Sequence, residues 1–149
     1  MLSPIQRSIV VPASAERAFE VFTSGMTSWW PKTHHIGEAP IAEIIIEPLE
    51  GGRWYTRHED GAETYTGFVL AWEPPSRLVL TWQIGADWRY DPLLVTTVEV
   101  TFTPVEVGTR VTIEHRDLDR YGPEAERMHQ VFSGPSAWVG MLDAYAGAI

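Results

Sequence analysis

Histidine is the residue type in this chain with the most scope for chemistry, because the sequence has five histidines and no cysteine. Strict alternation places Thr109, Val111, Ile113 and His115 on one face of a strand. Burial disfavours an imidazolium, so His115 is expected to be neutral, with one ring nitrogen donating and the other accepting a hydrogen bond. Three roles stay open for it: a satisfied structural histidine, a polar anchor for a ligand, or a general acid or base.

The other ionisable groups form no catalytic constellation. His58 ends an inward-facing strand in the same way, whereas His34 and His35 are adjacent in a loop and are expected at the surface, pointing to opposite sides. Asp60 and Asp117 lie beside turns, where aspartate bonds to local backbone. We therefore predict no catalytic set, no metal site and no cofactor, and the lack of cysteine excludes thiolate ligands and disulfides.

Aromatic residues are the second notable feature, with seven tryptophans among 149 residues. Alternation turns Trp54 and Trp82 inward from two strands, and helical spacing places Trp138 and Met141 on one apolar face. The predicted cavity-lining residues are Trp54, Tyr65, Trp82, Phe102, His115, Trp138 and Met141. The predicted lid or rim residues are Trp29, Trp30 and Trp88.

The elements that would position these side chains follow from periodicity and turn signals. Strands are predicted over residues 6–11, 41–48, 53–58, 64–73, 78–83, 94–104 and 109–116. Ser14 is a candidate N-cap for a helix ending near Thr23, and residues 26–31 suit a short helical turn or packed loop. Residues 123–132 are predicted helical, Ser133-Gly134-Pro135 breaks that helix, and a last helix follows. Such an order is typical of an α+β fold with an antiparallel sheet.

Length and charge restrict the function classes. A chain of 149 residues suits one domain over residues 1–149, and a net charge of −9 opposes binding to nucleic acid phosphates. No apolar run approaches the roughly 18 residues of a membrane span, so no membrane partner is expected. The N-terminal residues show no secretory pattern, and a cysteine-free chain fits a cytoplasmic location.

Short motifs in a fixed order carry a family resemblance. They are Val11-Pro12-Ala13-Ser14, Gly51-Gly52-Arg53-Trp54, Asp60-Gly61, Gly67-Phe68-Val69-Leu70, Glu73-Pro74-Pro75, Thr81-Trp82, Glu99-Val100-Thr101-Phe102, Gly108-Thr109-Arg110-Val111 and Glu114-His115-Arg116. In this order they resemble bacterial proteins similar to the C-terminal domain of the Hsp90 ATPase activator, within the START-like (SRPBCC, Bet v 1-like) superfamily. The resemblance implies a helix-grip fold, in which about seven curved antiparallel strands surround a long C-terminal helix and leave a cavity. Two short helices would follow the first strand.

The fold alone does not select a function, and three hypotheses follow. The first is binding of a small apolar or aromatic molecule in the cavity. The second is a cyclase or dehydratase in which His115, with Tyr65 or His58, moves protons. The third is a chaperone partner that uses the outer sheet face. The loop around Trp88 suits a pocket rim or a homodimer contact.

Overall fold

The computed structural model describes residues 2–149, which form a seven-stranded sheet and a set of helices. The strands are β1 (Ile5–Val11), β2 (Ile41–Ile46), β3 (Arg53–His58), β4 (Glu63–Glu73), β5 (Arg77–Trp82), β6 (Thr96–Val105) and β7 (Gly108–Arg116). The α-helices are α1 (Ala15–Phe22), α2 (Met26–Trp29), α3 (Ala125–Ser133) and α4 (Trp138–Ala146), with a 3-10 segment over Leu118–Glu124. The predicted strands and helices are confirmed with differences at their ends, and the 3-10 segment is an additional element that the sequence analysis did not predict.

The sheet is antiparallel throughout, and its order is β1-β7-β6-β5-β4-β3-β2. The first strand therefore pairs with the last, with Ile5 opposite His115 and Val11 opposite Thr109. The sheet curls into a half-barrel around the C-terminal helical segment. This arrangement confirms the expected α+β helix-grip fold.

The helix ends follow local sequence signals. The Ser14 hydroxyl accepts a hydrogen bond from the backbone N–H of Arg17 at 3.2 Å, which caps α1. Phe19 and Phe22 on α1 are buried against the sheet. The C-terminal helical region is divided at Gly134 and Pro135 into α3 and α4, as the sequence predicts.

Helix α4 is the element that the sheet surrounds, and it is apolar on its inner side. Trp138, Met141, Leu142 and Tyr145 are all buried. The Tyr145 hydroxyl donates to the carbonyl of Ala18 at 2.7 Å, so α4 is fastened to α1 as well as packed on the sheet.

A β-bulge in β4 decides which side chains reach the concave face. Trp54 pairs with Gly67 and Tyr55 pairs with Tyr65, which leaves Thr66 as the additional residue. An additional residue reverses the inward and outward alternation on one side of a bulge. Thr66 consequently faces inward, and Tyr65 faces the convex side of the sheet beside Tyr55.

Candidate functional site

A cavity of about 350 Å³ lies between the concave face of β2–β5, helix α4 and two loops. Its apolar wall consists of Trp30, Ile36, Ile44, Trp54, Trp82, Ile84, Trp88 and Met141. Its polar wall consists of Thr33, His34, His35, Thr56 and Thr66. The cavity is therefore largely apolar with a small number of polar groups, which is the usual composition of a small-molecule site.

The indole rings of the wall support one another. The ring centroids of Trp54 and Trp82 are 5.7 Å apart, and those of Trp30 and Trp54 are 6.0 Å apart, both in edge-to-face geometry. The Trp30 indole N–H donates to the carbonyl of His34 at 2.7 Å. These contacts fix the ring orientations without a ligand, so the aromatic wall is preformed.

Trp88 is the exposed part of the wall. It keeps 44% of its surface accessible and adopts a left-handed backbone conformation with φ of 62°. Its backbone N–H donates to the carbonyl of Gly85 at 2.9 Å, and the Gly85 N–H donates to the carbonyl of Arg89 at 2.8 Å. A tight turn thus holds a large non-glycine residue in an unfavourable conformation at the cavity rim.

Tyr65 lies outside the cavity, contrary to the expected placement. The bulge at Thr66 turns it to the convex face, where its ring contacts Tyr90 at 5.5 Å and Tyr55 at 6.3 Å between centroids. Simple alternation along β4 does not reveal an additional residue, so the sequence pattern gave Tyr65 the wrong face.

Phe102, Trp29 and Trp138 also lie away from the cavity wall, in the packed interior. Phe102 contacts Phe19 at 5.1 Å between ring centroids. Trp29, expected at the lid, packs on Tyr145 at 5.4 Å and donates its indole N–H to the backbone of α1. Trp138 packs behind Trp82 at 5.8 Å, so it supports the wall without lining it.

His115 is completely buried behind the aromatic wall and is fully hydrogen-bonded. The Trp138 indole N–H donates to Nδ1 at 3.2 Å, and Nε2 is 2.9 Å from the Thr96 hydroxyl. That hydroxyl donates to the carbonyl of Trp82, so it accepts from Nε2–H of His115. Burial lowers the pKa of His115 to about 3. The expected neutral ring with one donating and one accepting nitrogen is confirmed.

His34 and His35 both line the cavity, whereas the sequence suggested surface histidines that point to opposite sides. They lie in the predicted loop, but this loop folds over the cavity mouth. The His34 Nε2 bonds to the carbonyl of Ser136 at 2.9 Å, which ties the loop to the segment before α4. This contact joins residues 102 positions apart in the sequence, so a local sequence pattern does not predict it.

His58 and Trp82 complete the polar inventory. His58 is buried, with Nδ1 at 2.8 Å from the Ala39 carbonyl and Nε2 at 2.8 Å from the Thr64 hydroxyl. The indole nitrogen of Trp82 is the one buried side-chain polar atom in residues 2–149 that has no hydrogen-bond partner. Thus Trp82 brings an unsatisfied donor to the wall, whereas His58, which does not line the cavity, is fully hydrogen-bonded.

Two further findings concern the described part of the chain as a whole. Across residues 2–149, no group of three or more histidine, aspartate or glutamate side chains is arranged to hold a metal ion. No helix in that range is long and apolar enough to cross a bilayer.

The curled sheet, the enclosed helix and the cavity between them define a helix-grip protein of the SRPBCC class. A family model described as "Activator of Hsp90 ATPase homolog 1-like protein" matches residues 12–146, and the chain belongs to that family. No curated protein matches the chain significantly.

Solved structures with the same fold include two with substantial sequence identity. The anthrahydroquino-gamma-pyrone synthase Txn09 is 38% identical, with 99% of this chain and 97% of that chain covered and a TM-score of 0.69. The self-sacrificing resistance protein CalC from Micromonospora echinospora is 30% identical, with coverages of 97% and 92% and a TM-score of 0.69. The Aha1 dimer from Colwellia psychrerythraea, at 17% identity, coverages of 99% and 96% and a TM-score of 0.66, shares the fold.

Proposed function

We propose that this protein binds a small, flat aromatic molecule in the cavity beneath Trp88. The observation that carries this proposal is the preformed indole wall of Trp30, Trp54 and Trp82. Edge and face contacts with indole rings favour planar aromatic ligands over flexible chains. A volume of about 350 Å³ lies at the lower end of the range for small-molecule sites, which suits a ligand of a few fused rings.

The synthase relative supports the same ligand class. Its name specifies an anthrahydroquinone-pyrone product, which is a flat fused-ring system, and its similarity extends over 99% of this chain. A shared fold does not by itself fix a shared ligand. The proposal therefore depends on the wall of this chain, and the relative adds chemical plausibility.

The test compares a flat probe with a flexible probe of similar size, 2-methoxynaphthalene and 1-decanol, by titration with tryptophan fluorescence as the readout. We expect a saturable response to 2-methoxynaphthalene and weaker binding of 1-decanol. Thr66→Leu should weaken binding of the flat probe about tenfold or more, because the larger side chain enters the cavity. Thr103→Leu, the same change at an exposed position of β6, should leave it unchanged.

A saturable response that is equal for both probes and indifferent to Thr66→Leu would refute binding in this cavity. The absence of any saturable response to 2-methoxynaphthalene would refute the proposal as a whole.

The second candidate is an enzyme that closes a ring of an aromatic polyketone in the same cavity. The 38% identity to a synthase over nearly the whole length of both chains favours it. His115 and His58 have both ring nitrogens engaged within the protein, and Tyr65 faces outward. Proton transfer by His115 or His58 would require these hydrogen bonds to break, and Tyr65 does not face the cavity. The His34–His35 loop, which lines the cavity, is therefore the better source of a base.

A model reaction tests this candidate separately. In 1-(2-hydroxyphenyl)-3-phenylpropane-1,3-dione, the phenol oxygen attacks the distant ketone carbon, and loss of water then gives a gamma-pyrone. We expect the protein to accelerate this closure above the buffer rate, and Thr66→Leu to reduce the acceleration. Binding without acceleration would remove the second candidate and leave the first intact.

A further inference from the structure

We propose that Nε2 of His35 is the hydrogen-bond acceptor that selects aromatic ligands carrying a hydroxyl group, such as phenols and enols. This inference rests on the proposed binding function and adds to it the chemical class of the ligand. It assigns the recognition of the polar edge of the ligand to one atom.

The tautomer of His35 is fixed by its backbone contact. Nδ1 lies 2.7 Å from the carbonyl oxygen of Gly37, and a carbonyl only accepts, so Nδ1 carries the proton. In the neutral ring, Nε2 then holds the free lone pair. Within residues 2–149 this nitrogen has no hydrogen-bond partner, and the side chain lines the cavity and is half-buried.

The other histidines near the cavity do not offer such an atom. His34 bonds through Nε2 to the Ser136 carbonyl and through Nδ1 to the Thr33 hydroxyl at 3.1 Å. His58 and His115 are each engaged at both nitrogens and do not line the cavity. A ligand hydroxyl inside the cavity therefore meets one imidazole acceptor, that of His35.

The ring of His35 is held in place by its surroundings. It stands edge-on to His58, with 5.7 Å between the ring centroids. Gly37 lies directly against His58, since a Cβ atom at residue 37 would be 2.6 Å from the His58 ring. The loop can close this tightly only with glycine there, and an acceptor held in advance costs less entropy on binding.

The neighbouring polar groups complete the specificity. The hydroxyls of Thr56 and Thr66 line the same cavity and have no hydrogen-bond partner among the described side-chain contacts. A threonine hydroxyl can donate, whereas His35 Nε2 in this tautomer can only accept. The site as a whole thus suits a flat ring system that has a hydroxyl and a carbonyl oxygen, with the hydroxyl directed to His35.

The experiment uses two probes that differ by one donor, 2-naphthol and 2-methoxynaphthalene, in calorimetric titrations at pH 8. Free imidazole is neutral at this pH, and a simple phenol keeps its proton. We expect the wild-type protein to prefer 2-naphthol by about two- to tenfold, the contribution of one hydrogen bond. His35→Phe, which keeps a planar ring without a nitrogen, should abolish that preference.

Two further variants serve as controls. Ile44→Leu alters the apolar wall of the same cavity and leaves the His34–His35 loop contacts in place, so it should keep the preference for 2-naphthol. His35→Gln places an amide oxygen near the position of Nε2 and should restore part of it. Circular dichroism establishes that each variant is folded.

The outcomes separate the two proposals. If His35→Phe weakens both probes equally, or if the preference for 2-naphthol survives it, His35 is only part of the wall and the inference is overturned. If the wild-type protein binds neither probe, the proposed binding function is refuted, and the inference falls with it.

Discussion

At the scale of single residues, His115 shows how a histidine in an aromatic interior can be structural. Its two hydrogen bonds connect β6 through Thr96 and α4 through Trp138. Its ring also packs on Phe132 at 4.5 Å and on Trp82 at 5.9 Å between centroids. Burial disfavours the positive charge of a protonated ring, so His115 is neutral in the folded state.

The first prediction follows from the pKa of His115, which burial lowers from 6.5 to about 3. Between these values the unfolded chain binds a proton that the folded chain refuses, so the free energy of unfolding falls as the pH is lowered. The slope from this group is at most about 1.4 kcal/mol per pH unit. Chemical denaturation at pH 5.0 to 6.5 should show it in the wild type and not in His115→Phe.

The interval from pH 5.0 to 6.5 separates the titration of the histidine from that of two ion-paired carboxyl groups. Hydrogen bonds from Arg53 to Glu47, and from Arg77 and Arg116 to Glu99, lower the pKa of these two carboxyl groups below 4.5. Their stabilisation is therefore lost only in more acidic solution. Equal slopes for the wild type and His115→Phe would contradict the assignment. At neutral pH, His115→Phe should cost about 1–3 kcal/mol, because the Trp138 N–H loses its acceptor.

The second prediction concerns the strained backbone of Trp88. Trp88→Gly and Trp88→Val both remove the ring from the cavity rim, but only glycine accepts a φ of 62° without cost. We expect the glycine variant to be more stable than the valine variant by about 1–2 kcal/mol in denaturant titrations. Both should bind 2-methoxynaphthalene more weakly than the wild type. Equal stabilities would show that the turn relaxes.

The sequence predicted some residues of the cavity wall correctly and misplaced others, for physical reasons. Trp54 and Trp82 follow from alternation in regular strands. Tyr65 does not, because a bulge is a property of the pairing partner as much as of the strand itself. His35 lies on a loop that is held by contacts between residues distant in the sequence, among them the bond from His34 to Ser136 and the packing of His35 on His58.

At the scale of elements, α4 shows a conflict between propensity and packing. Gly140 lies inside this helix, where alanine would ordinarily be more favourable by about 1 kcal/mol. A Cβ atom at residue 140, however, would lie 2.7 Å from the backbone carbonyl oxygen of Pro135. That oxygen is a backbone atom at the break between α3 and α4, so relieving the contact requires a shift of the backbone there.

The third prediction is that Gly140→Ala lowers the free energy of unfolding by about 1–3 kcal/mol, the usual cost of overpacking. Gly147→Ala is the matched control. Its backbone has φ of −67°, and its nearest added contact would be the Ala144 carbonyl oxygen at 3.4 Å, so it should be neutral or stabilising. Thermal unfolding of the two variants provides the comparison. A stabilised Gly140→Ala variant would show that the helix break is flexible.

Elements were easier to predict than sites because their signals are local. The cap at Ser14, the break at Gly134-Pro135 and the turn at Asp60-Gly61 each act within a few residues. The cavity, by contrast, needs the curvature of the whole sheet and the bulge at Thr66. Neither is encoded in any single segment.

At the scale of the whole molecule, the sheet order brings the first strand against the last and closes the structure around α4. The family resemblance correctly predicted that the sheet closes around the C-terminal helix. Periodicity alone is compatible with several α+β arrangements and does not select one of them. Self-association is a separate matter, and the homodimer stays a prediction that light scattering can test. Contact with a chaperone likewise stays a prediction.

The last prediction links the cavity to global stability. A ligand that binds only the folded chain stabilises it by about 2.7 kcal/mol at a concentration 100 times its Kd. For a domain of this length that corresponds to a rise in Tm of roughly 5–10 °C. We expect 2-naphthol to produce such a rise in the wild type and a clearly smaller one, at the same probe concentration, in Thr66→Leu. Because Thr66→Leu fills existing space beside Trp54, its Tm without probe should be at least that of the wild type. A lower starting Tm would mean that the larger side chain overpacks the cavity, and an undiminished rise would mean that the probe binds elsewhere.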